Sequence, residues 1–311
     1  MRYRQAHAFA ASPTRPRRRA PRAGLVAGIA AALLLAGCEA LPPPSGAAPL
    51  RYRDPVFSTV TVAKDLQYGS APDAQGHPVA LKLDLFQPVG DKVTARPAVV
   101  WVHGGGFTDG DKAASPEAVF SDMYAKLGYV AVNINYRLLA HGCTGSGGVT
   151  PDCNTAAIAA IHDGQAAVRW LRANAAKYRI DPTRIGIGGS SAGAIVATGV
   201  GVWSDQPGTS GNPGQSSKVG AWVSISGGLP GGVFVDPTDA PGELFSGTAD
   251  TTVPYQWSVD TSNALTKAHV FNVFKPLPGA GHVPYDKYFD LFKSQSDYFF
   301  YDLLDLGHAA R

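Results

Sequence analysis

From about Pro55 onward the apolar residues fall into short clusters separated by longer stretches with helical spacing. Residues Val56 to Val62 and Val79 to Phe86 alternate or cluster apolar side chains as strands do, and they predict antiparallel edge strands leading into a sheet. Ala98-Val99-Val100-Trp101-Val102 is wholly apolar, the signature of a strand covered on both faces of a parallel sheet. Further strands are expected at Tyr129 to Ile134, Ile185 to Gly188, Val219 to Ile225, Leu244-Phe245 and Val270 to Phe274. Between them, helices are expected at Pro116 to Leu127, Asn154 to Tyr178, Ala192 to Val200, Tyr255 to Ala268 and Tyr285 to Leu306. The second of these carries Ile158, Ile161, Ala167, Val168 and Leu171 at helical spacing. Strand and helix in alternation imply an α/β fold with a mostly parallel central sheet and helices on both faces. There is no internal repeat and no sign of a second domain. The polar, glycine-rich stretch Asp205 to Ser217 reads as a surface loop able to border a site on that sheet.

The first 37 residues follow a different pattern. An arginine-rich stretch (Arg15 to Arg22) precedes an apolar run (Ala23 to Leu35) and a small-residue exit, Ala36-Gly37-Cys38, the order of a secretory signal peptide. Seven arginines and no acids lie before Cys38, so the rest of the chain carries 20 basic against 24 acidic residues, and the net charge of +3 belongs to the leader. Nothing beyond it resembles the clustered basic face of a nucleic-acid binder. Leu35-Ala36-Gly37-Cys38 resembles the lipobox of bacterial lipoproteins, which implies lipidation at Cys38 and a membrane held through that lipid. A transmembrane anchor and simple secretion are the alternatives; the apolar run is short of the roughly 20 residues that cross a bilayer. Glu39 is not the aspartate associated with inner-membrane retention, which points to the outer membrane or a periplasm-facing position. The organisation expected is therefore a signal peptide over residues 1–37, a Pro/Gly/Ala tether over 38–54 with an extended, solvated backbone, and a catalytic domain over 55–311.

With Cys38 committed to a lipid, Cys143 and Cys153 remain, in a chain whose leader implies an oxidising compartment, and a disulfide between them is expected. A metal site is not, because the neighbouring His141 would bring the ligands to three at irregular spacing.

Two segments carry the chemistry. Gly189-Ser190-Ser191-Ala192-Gly193 fits GxSxG between an apolar strand and a small-residue helix. A serine on so sharp a turn requires small residues two before and two after it, and the helix start behind it favours negative charge. The register makes Ser191 the nucleophile rather than Ser190. His103-Gly104-Gly105-Gly106 follows the buried strand; glycines there let backbone N–H groups turn toward an oxyanion, with the Ala192 N–H as the other donor. His103 and Gly104 are expected to support that loop, with His103 hydrogen bonding rather than acting as base. A phosphate loop is the competing reading, but neither a Lys-Ser/Thr ending nor GxGxxG spacing is present.

These segments, with Phe107, Gly110-Asp111-Lys112, Asn135-Tyr136-Arg137-Leu138, His162 to Leu171 and Asp181-Pro182, resemble the α/β-hydrolase superfamily. The likeness is to its esterase and lipase branch with an HGGG oxyanion loop, including BD-FAE-like hydrolases, and it runs from about Tyr68 to the C-terminus. Ser190 departs from it, standing where many members carry aspartate. The resemblance implies the α/β-hydrolase fold and a triad in the order serine, acid, histidine. Asp250, in Gly247-Thr248-Ala249-Asp250, and His282, in Gly279-Ala280-Gly281-His282, each follow a strand and match that order. Asp236, Asp239 and Asp260, and His269 and His308, are the weaker rivals by position. The reaction implied is two-step acyl transfer from a small-molecule, lipid or polysaccharide ester, with no cofactor. An exported serine exopeptidase, an acyltransferase and a non-enzymatic envelope lipoprotein are the alternatives. Phe107, Tyr136, Trp203, Tyr255 and Trp257 are candidate pocket walls.

Overall fold

In the computed structural model, strand β3 (Arg96–Val102) is buried at all seven positions, as a strand covered on both faces must be. The structure describes residues 41–139, 143, 150–203, 206, 208–230 and 234–309; the leader, Cys38, His141 and the His308 side chain lie outside the described residues.

Ahead of β3 run β1 (Val60–Pro72) and β2 (Pro78–Pro88). After it come α1 (Pro116–Leu127), β4 (Val130–Ile134), α2 (Pro151–Ala173), the short α3 (Ala175–Tyr178), β5 (Ile180–Ser190) and α4 (Ala192–Val202). Then follow β6 (Ala221–Ile225), β7 (Gly242–Gly247), α5 (Tyr255–Lys267), β8 (Asn272–Leu277), α6 (Tyr285–Leu303) and α7 (Leu306–Ala309). One sheet of eight strands has the order β1-β2-β4-β3-β5-β6-β7-β8. β1 and β2 are antiparallel, as are β2 and β4; all other neighbours are parallel.

Helices cover both faces. Ala160, Val168, Val196 and Val200 of α2 and α4 build one core with Val100, Val102 and Ile187. On the other face, Phe120 and Tyr124 of α1 and Phe292, Phe299 and Phe300 of α6 pack on Trp101, Val223 and Phe245. Trp101 stacks on Phe120 at 4.6 Å between ring centroids. Every residue of α4 is buried, which is why this helix is written in Ala, Gly and Val rather than with a polar face.

Of the boundaries that differ from the sequence pattern, three have a clear physical cause. β1 runs ten residues past Val62, because most of its positions up to Gln67 are exposed on an edge strand and show no apolar alternation. α2 begins at Pro151, capped by the Thr150 hydroxyl accepting from the Cys153 N–H, and stops at Asn174, so the expected helix Asn154 to Tyr178 is two helices. In the tether, Pro42, Pro43 and residues 45–49 are exposed, as expected of a solvated segment, but Leu41 and the stretch around Tyr52 pack on the body. Tyr52 is fully buried against Tyr129, its N–H donates to the Leu127 carbonyl, and Arg51 pairs with Asp91 at 2.6 Å. The prolines at 42–44 stiffen the backbone, but a buried aromatic and a paired guanidinium decide where it lies.

Candidate active site

Pairing places the chemical segments at one end of the sheet. Val102 is opposite Gly189, so the turn after β3 and the turn after β5 emerge side by side, and Gly247 is opposite Leu277, so β7 and β8 deliver their loops together. Ligand sites of open α/β sheets lie at these carboxyl ends.

Ser191 has φ 53° and ψ −120°, a backbone that few residues other than glycine adopt, and its N–H is held by the Ile225 carbonyl. The small neighbours are a steric requirement. A Cβ on Gly193 would lie 2.0 Å from the Val102 carbonyl oxygen, and one on Gly189 would lie 2.5 Å from that of Gly193. The serine is thereby held at the tip of the turn, at the start of α4.

Three side chains form one hydrogen-bonded series. His282 Nε2 is 2.8 Å from Ser191 Oγ, and its Nδ1 is 2.8 Å from Asp250 Oδ2. The Asp250 side chain is fully buried, and its other oxygen accepts from the Thr252 and Val253 amides at 2.9 and 3.1 Å. Nδ1 therefore carries the proton toward a carboxylate that cannot rotate away, and Nε2 is left to accept from the serine. The histidine loop is fixed from two sides: the Ala249 N–H donates to the Ala280 carbonyl, and the Ser226 hydroxyl accepts from the Val283 N–H. Of the rivals, Asp236 and Asp239 engage each other's turn, and Asp260 bonds Gln256 on the surface.

In the glycine loop, the carbonyls are all engaged in hydrogen bonds. That of Gly104 accepts from His103 Nδ1 at 2.6 Å and Tyr136 Oη at 3.1 Å, that of Gly105 from the Thr108 and Asp109 amides, and that of Gly106 from the Cys143 amide. Because each trans peptide points its N–H opposite its C=O, the Gly105 and Gly106 N–H groups face the other way. Gly105, Gly106, Ser191, Ala192 and His282 line a single cavity of about 500 Å³. Gly105 and Gly106 sit at φ 113° and 60°, where a side chain is strained. Burial holds His103 below the ordinary histidine value, and it stacks on Tyr136 at 4.5 Å, so it sits as a neutral ring within the loop's support.

Cys143 and Cys153 are disulfide-bonded and line the same cavity. Of the candidate walls, Trp203 and Trp257 line cavities, whereas Phe107 and Tyr136 are core residues beneath the glycine loop and Tyr255 packs on Phe274. Of the 205–217 loop, Gln206 reaches a cavity; Ser210 and Asn212 instead bond Asp163 and β1. A polar group the sequence did not reveal lies behind the serine. Tyr285 Oη donates to Glu117 Oε1 at 2.8 Å and is in hydrogen-bond contact with Ser190. Those partners come from α1, α6 and β5, so no local motif contains them. Among the described residues, no group of three or more His, Cys, Asp or Glu could hold a metal.

A family model described as BD-FAE matches residues 83–227. Lipase 1 of Geotrichum candidum is 36% identical over 118 residues, which are 37% of this chain and 21% of the lipase. Secreted lipase 5 of Gibberella zeae is 30% identical over 135 residues, 41% of this chain and 25% of that protein. The chain thus spans about a fifth to a quarter of the length of these curated relatives. Among solved structures, the apo form of Thermogutta terrifontis esterase 2 superposes with a TM-score of 0.63 at 22% identity, covering 78% of this chain and 94% of that one. A truncated carbohydrate esterase from gut microbiota gives 0.63 at 25% identity, covering 81% and 98%.

Proposed function

We propose that this chain, which is similar to esterases and lipases of the α/β-hydrolase kind, is a serine hydrolase of carboxylic esters acting through an acyl-enzyme. The observation that carries this reading is the Ser191–His282–Asp250 series, with both contacts at 2.8 Å, opening on the cavity that Gly105 and Gly106 line.

In this reading, His282 Nε2 takes the hydroxyl proton as Ser191 Oγ bonds to the ester carbonyl carbon. The carbonyl oxygen becomes an oxyanion held by the Gly105, Gly106 and Ala192 amides, each such donor contributing about 3 kcal/mol to the transition state. The bond to the alcohol oxygen breaks, and the alcohol leaves with the proton from His282. Water, activated by the same imidazole, then frees the acid and restores the serine. Asp250 keeps the proton on Nδ1 and stabilises the imidazolium as it forms. His103 and Gly104 shape the loop without touching the substrate.

The test is hydrolysis of p-nitrophenyl esters by the protein and by Ser191→Ala, with paraoxon labelling in parallel; Thermogutta terrifontis esterase 2 has been solved phosphorylated by paraoxon. Turnover that vanishes in the variant, with one phosphoryl adduct on the Ser191 peptide, supports the reading. Equal turnover in both proteins, or none in either, overturns it.

Export of the chain is part of the same proposal, supported by the order of the leader and by a secreted lipase among the relatives. The finer reading is a lipid on Cys38 that holds the enzyme to the cell envelope. Among the described residues no helix is long and apolar enough to cross a membrane. An unmodified Cys38 in the mass spectrum of envelope-extracted protein would remove the anchor and leave the export.

A further inference from the structure

Beside the reaction cavity lies a second one of about 370 Å³, within the range of small-molecule sites. Four residues line both: Cys143, Cys153, Ile195 and Trp257. Beyond that shared wall the second chamber is formed by Ile158 and Ile161 of α2, by Trp203 at the end of α4, and by Leu229 and Phe234. Its polar members are uncharged amides and His162, which burial holds below the ordinary histidine value; no Asp, Glu, Lys or Arg is among its described lining residues. Phe234 is 78% exposed, the most exposed large apolar side chain described, and it stands at this chamber's rim.

We propose that this chamber receives the acyl chain of the substrate, and that the chain is uncharged and of medium length. The inference rests on the ester-hydrolase reading above. Two halves of an ester compete for the space, and the histidine decides between them. The leaving oxygen must lie against His282 Nε2, which lines the reaction cavity and not the chamber. The half that stays bonded to Ser191 points away from the imidazole, toward Ile195, one helical turn beyond the serine, and the disulfide. The leaving alcohol departs with its proton while the chain remains seated among Ile158, Ile161 and Trp203 until water releases it. A methylene is about as large as a water molecule, whose share of liquid volume is about 30 Å³, so the chamber has room for roughly ten carbons. A carboxylate or ammonium on the chain would be buried with no counter-ion among the described residues, which disfavours charged acyl groups.

The experiment compares kcat/KM for p-nitrophenyl acetate, butyrate, hexanoate and octanoate, and for acetates of alcohols of increasing length, on the wild type, Ile158→Trp and Ala157→Phe. Both variants fill the chamber from partly exposed positions of α2, and two of them guard against a folding failure in one. Seating each methylene raises kcat/KM two- to fourfold in the wild type. The octanoate-to-acetate ratio then falls at least tenfold in the variants, while the alcohol series is unaffected by them. A ratio unchanged in both folded variants overturns the proposal, and so does a length dependence carried by the alcohol series. Absence of Ser191-dependent turnover on every ester is a different result, because it removes the hydrolase reading itself.

Discussion

Replacing Asp250 by asparagine removes a charge and leaves the shape, so it isolates what the carboxylate contributes. In the structure, one carboxylate oxygen accepts two backbone amides, from Thr252 and Val253, and the other faces Nδ1 of His282 at 2.8 Å. Asparagine has one acceptor oxygen and one amide, so it cannot serve both sides. Orienting the oxygen to the turn keeps two backbone hydrogen bonds, each worth about 1 kcal/mol, and turning it to the imidazole keeps one. The NH2 group therefore faces Nδ1. That forces Nδ1 to accept and puts the ring proton on Nε2, where it meets the Ser191 hydroxyl and cannot take its proton. In a triad of this geometry the wrong tautomer costs about 10⁴-fold in kcat, or ~5.5 kcal/mol of activation free energy. The assay is p-nitrophenyl acetate hydrolysis with active-site titration, alongside thermal unfolding, and Tm is expected to stay within about 3 °C of the wild type. A loss of less than tenfold in a correctly folded variant would refute the assignment of Asp250 as the orienting acid.

Cys143→Ser with Cys153→Ser opens a ten-residue closure and is expected to cost about 2–3 kcal/mol in urea unfolding. It should also lower kcat, because the Cys143 amide holds the Gly106 carbonyl; stability lost with kcat unchanged would show that the glycine loop needs no such clamp. Gly193→Ala puts a methyl 2.0 Å from the Val102 carbonyl oxygen, so the turn must shift and turnover should fall at least ~100-fold; near-normal activity would contradict the packing described for the serine turn. Asp297 is fully buried, and burial pushes its carboxyl up to about 6 from 3.8, with the nearby Lys293 ammonium opposing the rise. A raised folded-state value means the folded protein holds this proton more tightly, so the contribution is fully present below pH ~4 and is lost as pH climbs through 6. The loss is about 3 kcal/mol at most. Urea titrations at pH 4.5, 5.5 and 7 should show Asp297→Asn gaining on the wild type as pH rises, and a constant difference would refute this.

What could be read from the sequence, and what could not, follows from where each constraint acts. Strands β3, β4 and β6 are legible because both faces are covered and their residues are mostly apolar, Arg96, Asn133 and Ser224 being the polar positions, whereas β1 is legible only at its start because Lys64, Asp65 and Gln67 face solvent on a sheet edge. Glycines 189 and 193 are legible for the opposite reason: the backbone passes so close to Val102 that no other residue fits, and the chemistry of the turn is written into five consecutive positions. Asp250 and His282 were reachable only through their order after Ser191 and their place after strands, since nothing local distinguishes them from capping or surface residues. The contacts that hold those groups still were not readable at all. Tyr285, Glu117 and Ser190 meet across 168 residues of chain, and Tyr52 seats the supposed tether on Leu127 and Tyr129. Such partners leave no spacing to recognise, because each is placed by the packing of a different helix on the sheet. The same holds for the apolar chamber: its walls come from α2, the end of α4, the loop after β6 and the start of α5, joined by a disulfide whose pairing was foreseeable but whose position between two cavities was not. The serine turn and the glycine loop are thus specified by local motif, the acid and base by their order along the chain, and what the site is selective for by long-range packing, so substitutions that alter acyl preference without touching the reaction should cluster on α2 and around residues 229–234 rather than in the motifs.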